Sequence, residues 1–256
     1  MLIKASLIKG CGIAASDGHL GTVAEVLFDD ATWVVRWLVV DTGHWLPGRK
    51  VLLPPSALGP IDPTGQAFPV KLTMQQVKDS PSAERDRPVS RQMETDIYDH
   101  YGWAPYWASD LYMGGYGYIG GAMAAPSLLE FRHREDDSTR QYDGDPHLRS
   151  MEAVTGYHIH ATDGEIGHVE DFLMGETDWH IHYIVVDTRN WWPGKQVLIS
   201  PLSARQIDWT HKRIELGVDR QTVKDSPPYD ASTMVDHIYE DNFRSYYRRV
   251  WATDPL

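Results

Sequence analysis

Apolar and polar positions along the chain fall into short, strand-length runs separated by Asp-Gly, Pro-Gly and Pro-rich breaks. The runs come twice in the same order. ASDGHLGTVAEVLFDDATWVVRWLVVDTGHWLPGRKVLLPP begins at Ala15, and ATDGEIGHVEDFLMGETDWHIHYIVVDTRNWWPGKQVLISP begins at Ala161. They align without a gap at an offset of 146 residues, which carries Asp17 onto Asp163 and Asp79 onto Asp225. A duplicated unit of roughly 80 residues can hold its own small core.

Within each copy, Asp17-Gly18 and Asp163-Gly164 favour the positive φ angles of a tight hairpin. Three residues past that glycine, Gly21 and Gly167 suit a bulge or a close backbone approach. WVVRWLVVDT from Trp33 and WHIHYIVVDT from Trp179 are β-branched and aromatic, and predict the central strand of each unit. Asp41 and Asp187 close that strand, where a carboxylate accepts from the backbone of the following loop. Pro47-Gly48 and Pro193-Gly194 predict a turn into another short strand, and the segments from Ile61 and Ile207 a final hairpin. Five or six short strands per copy is the spacing of a small barrel.

A helical turn closes each copy, with Thr73 and Asp219 as N-caps and Pro81 and Pro227 as stops. METDIYDHYGW from Met93 then resembles MVDHIYEDNFR from Met234 with a shift in register, and predicts a helix after each barrel. The organisation expected is mainly β: a barrel at 1–81, a helix plus Gly- and aromatic-rich connector at 82–150, a second barrel at 151–227 and a C-terminal helix at 228–256.

Charge narrows the partners. With 24 basic against 36 acidic residues the net charge is −12 and no Lys/Arg-rich run stands out, which argues against nucleic acid. The single Cys11 aligns with Tyr157 in the other copy, so no internal disulfide forms and a reducing compartment fits. No apolar run reaches signal-peptide or membrane-span length, and a soluble cytoplasmic chain is expected.

The pattern DG..G.V, then VVDT, then W.PG..V and a terminal DSP resembles the PRC-barrel family, whose namesake is the cytoplasmic domain of the photosynthetic reaction-centre H subunit. The resemblance implies a small six-stranded β-barrel in tandem, used for protein docking and without enzymatic activity. For the H subunit it implies support of cofactor environments and proton delivery to a quinone; no residue here takes that task by motif.

The histidines carry the sharpest chemical hypothesis. His158 and His160, and His180 and His182, each sit at i, i+2 and so project to one face of a strand. Were the two strands adjacent, four imidazoles would line a transition-metal patch. An exposed polar face is the plainer reading, because the first copy has Gly12, Ala14, Val34 and Arg36 there. For catalysis, Asp41 and Asp187 lack a recurring partner acid or nucleophile, and GGYGYIGG lacks the Lys-Ser/Thr ending of a phosphate loop, so no catalytic residue and no cofactor are expected.

Tyr98, Tyr101, Trp103, Tyr106 and Trp107 offer large apolar area with polar handles, suited to a protein partner or to self-association as a homodimer, with pinning of the two halves together as the plainer reading. The expectation is an interaction or scaffold module. A histidine-based metal or ligand sensor, and an enzyme with a pocket between the barrels, are the rivals.

Overall fold

The computed structural model describes residues 1–61, 66–81, 89, 91–103, 145, 147–188, 195–230 and 235–253. Each half folds as a bent, mostly antiparallel sheet. The first contains β2 (Gly12–Ala15), β3 (Gly18–Asp29), β4 (Val35–Asp41), β5 (Lys50–Leu53) and β6 (Ala67–Pro69), in the order β5-β4-β3-β2-β6. The second contains β8 (His158–Ala161), β9 (Gly164–Gly175), β10 (Ile181–Asp187), β11 (Gln196–Ile199), β12 (Ala204–Asp208) and β13 (Arg213–Leu216), in the order β11-β10-β9-β8-β13-β12. The mainly β class stands, with one correction: among the described residues neither hydrogen-bonded path closes into a complete barrel.

Local chemistry explains the turns. Asp17 and Asp163 each accept a hydrogen bond at 2.8 Å from a distant backbone N–H, that of Met74 or Arg220, so each hairpin tip is tied to the start of a short helix. Those helices are α2 (Met74–Lys78), N-capped by Thr73, and α5 (Arg220–Lys224), N-capped by Asp219, as the sequence predicts. Beyond the tips, Leu20 and Ile166 are the extra residues of a bulge, and both point into the core. Gly21 and Gly167 then pass so close to the strand across that a methyl group on either would collide with the carbonyl oxygen of Asp41 or Asp187. Asp41 accepts from the Gly43 N–H at 2.8 Å, the predicted loop cap. Pro47-Gly48 forms a turn closed by the Arg49 N–H donating to Leu46, with Gly48 at φ 77. Asp187 is buried; Pro193 and Gly194 lie outside the described residues.

The two halves are not independent. β1 (Leu2–Lys4) leaves its own half and pairs with β9, setting Leu2, Ile3 and Lys4 against Gly175, Met174 and Leu173. β7 (Leu148–Ser150) does the reciprocal, setting Leu148, Arg149 and Ser150 against Asp29, Phe28 and Leu27. Every residue in the second set is its counterpart in the first moved by the 146-residue repeat, so the exchange obeys a pseudo-two-fold. α1 (Ala5–Ile8) and α4 (Met151–Val154) follow these strands and bury Ile8 and Val154.

The axis passes beside a pair of corners. The repeat predicts central strands starting at Trp33 and Trp179, but β4 and β10 begin two residues later, because both tryptophans take positive φ, 59° and 54°. A bulky side chain in that region costs roughly 1–3 kcal/mol. Two things offset it: each indole is 8% exposed, and each tryptophan carbonyl accepts a hydrogen bond across the junction. Trp33 accepts from Ile181 at 2.8 Å and Trp179 from Val35 at 2.9 Å. Phe28 meets Phe172 at 5.9 Å and Phe68 meets Trp179 at 5.8 Å, so one apolar core runs through both halves.

Reciprocal exchange predicts that a protease site engineered between residues 104 and 144, once cut, leaves both halves co-eluting on gel filtration as one species of the intact chain's size; two separating halves would contradict it. Gly167→Ala should lower unfolding stability by about 1–3 kcal/mol through overpacking, read as a lower denaturant midpoint with the same slope.

Candidate functional site: the helix anchors and the junction grooves

The helices that follow each sheet, α3 (Arg91–Tyr101) and α6 (His237–Thr253), are held by residues that keep the 146-residue offset. This corrects the register shift read from the helix sequences. In the first half, the Arg36 guanidinium on β4 binds Glu94 of α3, Asp29 at 3.1 Å and Asp145 at 2.8 Å, while the Trp37 indole donates to Glu94 at 2.6 Å. Glu94 is completely buried. Burial pushes its carboxyl upward, against the pull of the Trp37 indole N–H and the Arg36 charge.

In the second half, His182 stands where Arg36 stands and Glu240 where Glu94 stands. His182 Nδ1 lies 3.5 Å from Glu240, and its Nε2 lies 3.0 Å from Asp178. Partial burial works against the Asp178 charge, yet the hydrogen bonds from His182 and from the His180 backbone prevail and hold its carboxyl below the usual range. Tyr183 replaces Trp37 and packs edge-on against Phe243 at 4.8 Å. Burial, then the nearby Glu240 charge, pushes Tyr183 up to about 12. Tyr101 and Tyr247 complete the parallel: each faces the serine ending its unit, Ser80 or Ser226, and burial pushes both phenols up.

The predicted aromatic patch is spent largely inside. Tyr98 is buried, with its ring 5.3 Å from Trp37, and Trp103 stacks on Tyr101 at 4.3 Å against the same cluster. These side chains fasten α3 to the first sheet; Tyr106 and Trp107 lie outside the described residues.

The four histidines are not brought together. β8 and β10 lie on opposite sides of β9, so the adjacency that a shared metal patch requires is missing. His158 pairs with His168 near one end of β9, while Ile181, between His180 and His182, pairs with Met174 near the other. His158 instead lies 2.9 Å from Glu165. Among the described residues no group of three or more His, Cys, Asp or Glu side chains is placed to hold a metal ion.

What sequence reasoning missed are the Trp corners and the Arg36–Glu94 anchor. An arginine in an otherwise apolar central strand was the available signal, since a buried cation needs a carboxylate.

The corners create two grooves at the junction. One, about 780 Å³, lies between β4 with Pro54–Ser56 and the second half's Glu176–Trp179 corner. The other, about 580 Å³, lies between β10 with Ser200–Leu202, α6, and the first half's Ala31–Trp33 corner.

Comparison with known proteins places a PRC-barrel domain at residues 2–72. An uncharacterized protein of Deinococcus radiodurans is 36% identical over 95 residues, which are 36% of this chain and 34% of that protein. The chain thus spans about a third of the length of that relative. No helix among the described residues is long and apolar enough to cross a membrane.

Arg36→Ala should cost about 3–5 kcal/mol in urea unfolding at neutral pH, because it leaves the Glu94 charge buried without its cation. The deficit should shrink as the pH falls through the raised Glu94 pKa, since a protonated Glu94 has no charge left to bury. A deficit independent of pH would mean that the loss is packing alone.

Proposed function

We propose that the protein works in the cytoplasm as a non-enzymatic interaction module, a tandem of PRC-type units that presents a fixed surface to a protein partner or to a second copy of itself. The reciprocal exchange of β1 and β7 carries this reading. It locks the two units in one relative orientation, which is the property a scaffold needs and an independent pair of beads on a linker lacks. The PRC-barrel domain at 2–72 supports it, and the internal repeat extends it to the second unit. The resemblance to the reaction-centre H subunit makes support of an electron-transport assembly the finer form of the proposal.

The perturbed side chains fit this reading. Glu94, Tyr101, Tyr183 and Tyr247 all lie where α3 and α6 meet the sheets, and burial in those contacts accounts for their shifts. They act as fasteners rather than as acids or bases facing a substrate.

The test uses the full chain as bait in an extract of its source organism, beside light scattering of the purified protein and a screen for metabolite turnover. Expected is a saturable protein complex, or a homodimer, that Leu7→Asp or Ile238→Asp weakens, since both side chains are exposed apolar groups. Turnover of a metabolite with no macromolecular association would replace the module by an enzyme.

A further inference from the structure

The two junction grooves are related by the pseudo-two-fold but have diverged in charge. In the larger groove the corner supplies Glu176 and Asp178, and Asp29 also lines it. Among the described residues its one cation is Arg36, which is engaged by Glu94, Asp29 and Asp145. In the smaller groove the corner supplies Ala31 and Thr32, which carry no charge, and α6 contributes Arg244 and Arg248. Those two lie four residues apart and therefore on one face of the helix. Their counterparts in the first half, by the repeat offset, are Tyr98 and Gly102, so both guanidiniums belong to the second half alone.

The guanidiniums are lightly engaged. Among the described residues Arg244 approaches Glu240 in an ion pair, at 3.8 Å, and both arginines are exposed. Among the described residues the one carboxylate that lines the groove, Asp178, is engaged by His182 at 3.0 Å and by the His180 backbone. Around these charges the lining is aromatic: Trp33, Tyr183, Phe243 and Tyr247, with His180 and His182 at the β10 edge. A volume of about 580 Å³ suits a small organic molecule.

We propose that this groove is a binding site for a small aromatic carboxylate. The planar guanidinium is suited to a carboxylate, which accepts two parallel N–H bonds, and the aromatic lining offers ring faces and edges to the rest of the ligand. In a chain of net charge −12, a local pair of exposed guanidiniums also selects this groove over the acid-lined one for an anion. The site goes beyond the module reading and does not depend on it: a protein partner can be absent while the groove binds, and the reverse.

The test is titration of the intact protein with 3-phenylpropanoate, followed by calorimetry and by backbone amide shifts in ¹H–¹⁵N NMR. The uncharged control is 3-phenylpropanamide, and the non-aromatic control is butanoate. Expected is saturable binding of the aromatic acid with shifts gathered at Thr32, His180–Tyr183, Leu202 and Arg244–Arg248. Arg248→Gln should weaken it about tenfold or more, as loss of a charge-assisted contact implies. Ala31→Glu, which places a carboxylate at the neutral corner, should weaken it as well. Both changed residues are exposed, so the fold should survive, and the unperturbed NMR spectrum of each variant checks that. Equal binding of the amide, binding indifferent to Arg248→Gln, shifts gathered in the other groove, or no saturation at millimolar concentration would each overturn the proposal.

Discussion

The pairing of each half's first strand with the other half's longest strand is the constraint on which the rest depends. β3 and β9 are each twelve residues long, and their far ends extend beyond the hairpin partner. Unpaired, those ends would expose backbone N–H and C=O groups beside the core. β7 and β1 cover them from across the junction, and once they do, the helical turns α1 and α4 that follow are carried along to pack Ile8 and Val154. The corner tryptophans depend on the same contact. Positive φ at Trp33 and Trp179 persists because the junction surrounds the indoles and supplies donors to their carbonyls. Separate the halves and the strain loses what offsets it.

What was legible in the sequence was what short-range chemistry decides. The hairpins at Asp17 and Asp163, the N-caps Thr73 and Asp219, the close pass at Gly21 and Gly167, and the Asp41 cap all stand where the residues place them, with one correction: the hairpin tips are Ser16-Asp17 and Thr162-Asp163, and of the two Asp-Gly pairs only Gly164 takes a positive φ. Each rests on a preference of one or two residues for a particular backbone shape. The strand exchange rests on no such preference. Leu2–Lys4 is a three-residue segment whose composition names no partner strand, and the three-dimensional path of the chain sets it against β9. The histidine patch failed for the same reason, since the i, i+2 spacing fixes a face of one strand but not which strand lies beside it.

The helices teach the opposite lesson. Their sequences align best with a slipped register, because Ile-Tyr occurs in both, yet the structure keeps the 146-residue offset through Glu94 and Glu240 and through Tyr101 and Tyr247. Identity of side chains misled where equivalence of role did not. What the fold requires at the first of these positions is a carboxylate within reach of the cationic or ionisable group on the central strand, and at the second a phenol near the terminal serine.

Symmetry of the skeleton and asymmetry of the charges then fit together. The exchange and the corners are two-sided, and altering one side alone would break a contact that the other half relies on; the bulges and the helix anchors recur within each half. The groove linings carry no such obligation. Arg36 of the first half becomes His182, Tyr98 becomes Arg244 and Gly102 becomes Arg248, without change to the strand order or the helix position. A permanently charged, buried anchor in one half is matched by a half-exposed imidazole between two carboxylates in the other. The first arrangement suits rigid attachment of α3. In the second, Phe243 and Tyr247 hold α6 to the core while Arg244 and Arg248 line a groove, so that duplication here yields one rigid frame with two differently charged faces.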